Sequence, residues 1–110
     1  MLNINSLDDF KNYANGVLAR ALCHAPNVKD LILPLAGAVI IHGKDINVRE
    51  YNGQPANMIW FTKGNKRYCF HYDHEHETVK LFDRSFKGTL IKELDNDTSN
   101  QDIINLFAKL

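Results

Sequence analysis

Residues 38–83 form short segments rich in apolar residues that are separated by turn signals at short, regular intervals, which is typical of antiparallel strands. The turn signals are Gly43-Lys44, Asn52-Gly53 and Gly64-Asn65. Each pair suits a two-residue hairpin loop, because glycine and asparagine accept positive φ. A fourth, longer loop is predicted at Asp73–His76. The pattern therefore predicts a ladder of antiparallel strands joined by tight turns.

The four loops imply strand pairs that can be compared with one another. They place Val48 opposite Asn57, Phe61 opposite Tyr68 and Phe70 opposite Val79. Facing residues share one side of a sheet, so a slip of one residue in any loop would move the next strand to the wrong side. All four loops agree on the residues of the core side: Val39, Ile41, Ile46, Val48, Ile59, Phe61, Tyr68, Phe70, Val79 and Leu81.

A helix is predicted at each end of the chain. Ser6 can cap a helix over about 7–24 that Pro26 ends, with Arg20 among its outward polar residues. Ser99 or Asn100 can cap a closing helix over about 100–109. The stripe of the first helix is Leu7, Phe10, Ala14, Val17, Leu18, Ala21 and Leu22, and that of the last is Ile103, Ile104, Leu106, Phe107 and Leu110.

Two apolar segments admit either a helix or a strand. A short helix is predicted over about 28–33, broken by Pro34 and Gly37 and followed by a strand from Ala38 to His42. A single helix over 28–41 is the alternative, because periodicity does not distinguish a buried helix from a buried strand. Residues 89–94 are predicted as a last strand, with a short helix as the alternative.

Together these elements predict one α+β domain over residues 1–110. An antiparallel meander of five or six strands carries the terminal helices on one face. The 110 residues suffice for one core without disulfides, and the two cysteines, Cys23 and Cys69, are predicted to be buried and reduced. No signal peptide and no membrane span are predicted, so a cytoplasmic location is expected.

The side of the sheet opposite the core is the candidate binding face. It combines large apolar residues with cations: Met58, Trp60, Arg49, Arg67, His71, Lys80 and Phe82. So much apolar surface on a solvated face indicates a contact site. We therefore predict an interaction protein that self-associates through this face, or that contacts another protein there. Nucleic acid is not expected as a partner, because positive and negative charges balance at thirteen each.

Two further hypotheses remain. The first is a small-molecule pocket between a curved sheet and the helices, near Trp60, Tyr68 or Tyr72. The second is a metal site or metal-dependent enzyme in residues 71–77, whose candidate ligands are His71, His74 and His76.

The metal hypothesis conflicts with the predicted turn, because a turning chain loses the alternation that would place His74 and His76 on one side. No specific metal and no cofactor are therefore predicted. Neither a catalytic pair nor a phosphate-binding loop is present, and an enzyme is not the favoured class. We recognise no family from its motifs in this sequence, and a small accessory protein of mobile bacterial DNA has this general character.

Overall fold

The computed structural model describes residues 2–51 and 54–110. Within these residues the chain forms a six-stranded antiparallel meander whose strand order follows the sequence. The strands are β1 (Leu2–Asn3), β2 (Lys44–Tyr51), β3 (Gln54–Lys63), β4 (Lys66–Asp73), β5 (Thr78–Asp83) and β6 (Leu90–Leu94). The helices are α1 (Leu7–His24), α2 (Ile32–His42) and α3 (Asn100–Lys109), and a 3-10 helix (Lys29–Leu31) precedes α2. The predicted α+β architecture is confirmed.

The two terminal helices begin and end as predicted, and their caps explain why. The Ser6 hydroxyl accepts a hydrogen bond from the Asp9 backbone N–H at 3.1 Å, which satisfies a free donor of the first turn of α1. In α3 the corresponding cap is Ser99, whose side chain accepts from the Asp102 N–H. The Asp102 carboxylate in turn accepts from the Ser99 N–H and completes a capping box.

Helix α2 corrects the prediction for residues 28–42. The predicted strand from Ala38 to His42 and the hairpin turn at Gly43-Lys44 are wrong, and the alternative of a helix through this segment is confirmed in its second half. Pro34 lies in the first turn of α2, where a backbone N–H has no helical partner to lose. The helix ends at Gly43, and the chain enters β2 directly.

The pairing of β3 with β4 is the predicted one. Phe61 faces Tyr68, and a two-residue loop joins Lys63 to Lys66 with Gly64 at a φ of 62°. The predicted turn at Asn52-Gly53 lies outside the described residues, although its flanking pair, Tyr51 with Gln54, is observed.

Two predicted registers are wrong by two residues: that of β4–β5, and that of β2–β3 at Val48, whereas Glu50 faces Pro55 as predicted. Val48 faces Ile59 rather than Asn57, because β2 and β3 contain a register shift between Val48 and Glu50. Phe70 faces Leu81 rather than Val79, since the loop between β4 and β5 comprises residues 74–77 instead of 73–76. A shift of two leaves each side chain on its original side of the sheet. The predicted faces of these strands are therefore confirmed although the pairs are not.

The three α-helices and the core lie on one side of the sheet, here called the inner face. Nine of the ten predicted core-side residues are buried, and the ring of Phe61 stacks at 5.6 Å on Phe70 and at 5.7 Å on Phe107 of α3. The exception is Ile41, which is 75% exposed because residues two apart share a side in a strand but not in a helix, and in α2 it is Val39 that is buried.

Some smaller burial predictions are also corrected. Leu7 and Leu22 of α1 and Ile104 of α3 point to solvent at the margins of their stripes. Cys23 is exposed on the last turn of α1, whereas Cys69 is fully buried as predicted.

Candidate ligand-binding cavity

A cavity of about 330 Å³ opens between the helices and the inner face, and we call it the inner cavity. Its volume lies at the lower end of the range for ligand sites. Its wall is almost entirely apolar. One side of α1, the start of the α1–α2 connection, α2 and strands β3–β5 supply the apolar residues: Phe10, Ala14, Val17, Ala21, Ala25, Val28, Ile32, Leu35, Ala36, Val39, Ile59, Phe70 and Val79.

The cavity exists because small side chains of the helices oppose the sheet. Helix α1 turns Ala14, Val17 and Ala21 toward it, and α2 contributes Ala36. These side chains are short, and the cavity lies between them and Ile59, Phe70 and Val79 of the strands. An unfilled apolar space forfeits dispersion contacts and burial, so a ligand that fills it would stabilise the fold.

The connection between α1 and α2 contributes to one end of the cavity and is held in place by Asn96. The Asn96 side chain accepts from the Asp30 N–H at 2.9 Å and donates to the Pro26 carbonyl at 2.7 Å. Its backbone N–H also donates to the Asn27 carbonyl at 3.0 Å. Three hydrogen bonds from one residue therefore fix this part of the wall against the β6–α3 loop.

Five polar side chains complete the wall: Tyr13, Arg20, His24, Tyr72 and His74. Burial raises the pKa of the Tyr13 hydroxyl, and the positive charge of Arg20 acts in the opposite direction. Burial also raises the pKa of Tyr72, with smaller contributions from the Glu77 and Asp73 carboxylates. The two tyrosines therefore lie in surroundings of opposite charge.

Sequence reasoning anticipated a pocket between sheet and helices but named few of its residues. Tyr72 lines the cavity, while Trp60 and Tyr68 do not. Arg20 was assigned to the outward side of α1, yet it is half-buried and lines the cavity. The available signal was the run of small residues in the apolar stripe of α1.

The opposite side of the sheet, the outer face, differs from its prediction. Met58 is 2% exposed and Trp60 is 8% exposed, and together with Cys69 they form a second buried cluster. Met58 and Trp60 are therefore buried and do not form the exposed apolar surface that was expected there. Self-association through this face stays a prediction.

The segment between β5 and β6, residues 84–89, brings Phe86 onto the outer face. The Phe86 ring lies 6.2 Å from that of His71, and the Arg49 guanidinium carbon lies 5.7 Å from its centroid. Burial raises the pKa of the Cys69 thiol to about 12 and lowers the pKa of His71. Gly88 is required in this segment, because a Cβ there would lie 1.8 Å from the Asp83 carbonyl oxygen.

The other cations of the predicted binding face have partners within the chain. Arg67 donates to the Asp45 carbonyl at 2.5 Å and to the Thr62 hydroxyl at 3.0 Å, and it also contacts Asn47. Lys80 contacts the Asp73 carboxylate at 2.7 Å. Phe82 is half-buried opposite Cys69. These side chains therefore contact other residues of the outer face rather than extend freely into solvent.

The three histidines of the 71–77 segment separate in the fold. The His74 ring packs edge-on against the Tyr72 ring, with centroids 4.7 Å apart, while His76 Nδ1 lies 2.7 Å from Asp73 Oδ2. The Lys80 ammonium, and then His76, hold the pKa of the Asp73 carboxyl well below its usual range. Among the residues that the structure describes, no group of three or more His, Cys, Asp or Glu side chains is arranged to hold a metal ion.

Comparisons with known proteins complete this description. Residues 10–103 match the sequence profile of the family described as "Integron cassette protein VCH_CASS1 chain". A search of curated proteins finds no match. In the described parts of the chain, none of the helices combines the length and the apolar character needed to cross a membrane.

Proposed function

We propose that this chain, which belongs to the Integron cassette protein VCH_CASS1 family, binds a small apolar molecule in its inner cavity. The observation that carries the proposal is the cavity itself. It is large enough for a ligand, is lined by apolar side chains from both helices and sheet, and opens to solvent between them.

The chemistry of the wall supports binding rather than catalysis. Its apolar atoms would gain contacts with a ligand, and its few polar groups would orient that ligand. A ligand that binds only the folded chain also raises its stability by mass action. Binding is therefore measurable as a shift in melting temperature and, independently, by calorimetry.

The test is a pair of substitutions on the same helix. Ala14→Leu places a larger side chain in the cavity, whereas Ala19→Leu makes the same change at an exposed position of α1. Toluene and octanol serve as probes. Wild type and Ala19→Leu are expected to bind at least one probe, and Ala14→Leu is expected to bind it at least about tenfold more weakly, because the added side chain occupies its space.

Two results would count against the proposal. Equal affinity of Ala14→Leu and wild type would place the bound probe outside the inner cavity. Failure of both probes to raise the melting temperature or to release heat with the wild-type chain would show that the cavity binds no small apolar molecule.

A further inference from the structure

We infer that the ligand of the inner cavity carries an aromatic ring, which lies between Phe10 and Tyr13 of α1 on one side and Phe70 of β4 on the other. This inference rests on the proposed function of the cavity and adds the chemical class of the ligand.

Aromatic side chains line the cavity from both the helix layer and the sheet. Helix α1 supplies Phe10 and Tyr13, and strand β4 supplies Phe70 and Tyr72. The two strand residues are two apart, so both side chains lie on the inner face. Because the cavity lies between α1 and the sheet, a molecule that fills it can contact rings of the helix and of the strand together.

The rings are held in place by other parts of the fold. Phe10 is 6% exposed, and its ring lies 6.5 Å from that of Tyr13 at an angle of 52°. Phe70 is 4% exposed and stacks on Phe61 at 5.6 Å. A ring with a neighbour on one side still has a second face and an edge, and these three side chains also border the cavity. Little side-chain freedom is therefore lost at the rings when a ligand binds.

The small residue Ala14 lies next to the ring of Phe10. It follows Phe10 by four residues, so the two side chains are neighbours on one side of α1, and both line the cavity. The side chain of Ala14 is a single methyl group. A ligand in the space beside it can therefore contact the Phe10 ring.

Aromatic rings attract one another beyond the burial of apolar surface. Offset-stacked and edge-to-face pairs are both favourable at centroid distances of about 4.5–7 Å, so the attraction does not depend on a single orientation. One such pair is worth about two- to tenfold in affinity beyond burial. A saturated ring of the same size gains only the burial. Rings on two sides of the cavity therefore favour an aromatic ligand over an aliphatic one.

The volume sets the size of the ligand. At about 30 Å³ for each water-sized group, about 330 Å³ holds on the order of ten non-hydrogen atoms. An apolar cavity of about 150 Å³ is enough to bind benzene. The inner cavity therefore has room for a benzene ring with a substituent or for two fused rings.

The experiment compares benzyl alcohol with cyclohexylmethanol, which have the same carbon skeleton and hydroxyl group and differ only in the aromaticity of the ring. The saturated alcohol leaves water more readily, so each affinity is divided by the octanol–water partition coefficient of the probe. Calorimetric titration of the wild-type chain is expected to give benzyl alcohol a normalised affinity at least about fivefold higher. Nuclear Overhauser effects are expected between the ring of benzyl alcohol and the rings of Phe10, Tyr13 and Phe70.

Two substitutions of Tyr13 separate the effect of its ring from that of its hydroxyl. Tyr13→Phe keeps the ring and is expected to keep the preference for benzyl alcohol. Tyr13→Leu removes the ring and is expected to lower the preference at least about twofold, while cyclohexylmethanol still binds and shows that the cavity is intact. Phe10→Leu is expected to have the same effect and replaces Tyr13→Leu if that variant does not fold. Phe86→Leu makes a matched change on the outer face and is expected to keep the full preference.

Three outcomes would overturn the inference. Equal normalised affinities of the two alcohols for the wild-type chain would refute the aromatic class and leave the cavity proposal standing. A preference that is unchanged in both Tyr13→Leu and Phe10→Leu, or that Tyr13→Phe loses as fully as Tyr13→Leu, would show that the rings of α1 do not contact the ligand as described. Absence of binding by both alcohols would refute the proposed function as well.

Discussion

Both faces of the sheet bury apolar side chains away from water, but they differ in how completely they are packed. Three helices cover the inner face and still leave a cavity of about 330 Å³. One short segment lies over the outer face, yet Met58, Trp60 and Cys69 are buried there. The difference follows side-chain size. Around the inner cavity α1 presents the small residues Ala14, Val17 and Ala21 between its larger ones, whereas the outer segment contributes the ring of Phe86. How tightly a face of this sheet is packed therefore depends less on the amount of structure that covers the face than on the length of the covering side chains.

The largest effect is expected where the inner face is fully packed. Phe61 has no exposed surface and stacks on Phe70 and Phe107, so Phe61→Ala should lower the free energy of unfolding by about 3–5 kcal/mol. Urea denaturation measures this loss. Ile104→Ala, at an exposed position of α3, is the control and should change little. A loss below about 1 kcal/mol for Phe61→Ala would show that this part of the inner face is also loosely packed.

One pair of enlargements tests the comparison directly. Cys69 has no exposed surface, so Cys69→Leu adds volume to a filled outer cluster and should cost about 1–3 kcal/mol of unfolding free energy. Ala14→Leu adds side-chain volume beside the inner cavity and should be neutral or gain up to about 2 kcal/mol. Denaturation curves of both variants measure these changes in the free energy of unfolding. If both substitutions destabilise the chain equally, the two faces do not differ in packing.

Phe86→Ala should uncover the outer face at a smaller cost. The ring is about one-third exposed, so its removal should cost about 1–2 kcal/mol of unfolding free energy. Trp60 is the only tryptophan of the chain, and its fluorescence emission should move to longer wavelength as water reaches the cluster. Thr89→Ala, at an exposed position of the same segment, should leave the emission unchanged. Unchanged emission in Phe86→Ala would mean that other residues bury Trp60.

The smallest expected effect is a pH dependence of the outer face. Burial, together with the charges of His74, Arg49 and Lys80, lowers the pKa of His71, and the Asp73 carboxylate acts in the opposite direction. The unfolded chain therefore takes up the proton more readily, and stability falls as the pH drops below about 6.5. Between about pH 7.5 and about pH 5.5, wild type should lose more stability than His71→Gln. Equal losses in urea titrations of the two chains would contradict this assignment.

Much of the sheet could be predicted because its side-chain period is two. The predicted β4–β5 pairing, and the β2–β3 pairing at Val48, differ from the observed ones by two residues, and such a shift changes partners without exchanging faces. Ile59, Phe61 and Leu81 were therefore placed on the correct side. Helix α2 was less predictable, because a continuous apolar run gives no period and Pro34 in a first turn does not stop a helix.

The candidate site was harder to predict than the fold. A sequence pattern shows which side of α1 is apolar, but it does not show that a cavity remains beside the small residues on that side. It assigned Arg20 to solvent because polar residues usually lie outward, although a long side chain at the margin can reach a cavity. No periodicity shows that the segment 84–89 lies over the outer face, with Phe86 beside His71, or that Trp60 is buried there.

The loop of residues 74–77 between β4 and β5 has a consequence for how this chain can change in length. Adding or deleting a pair of residues there would move the tip of the hairpin while every side chain kept its face. A single added residue would need either a longer loop or a bulge, of the kind that β2 accommodates between Lys44 and Asn47, where Asp45 has a φ of 51°. Within the paired strands, relatives of this chain can therefore be expected to differ by even numbers of residues, and by odd numbers only where a bulge accompanies the change.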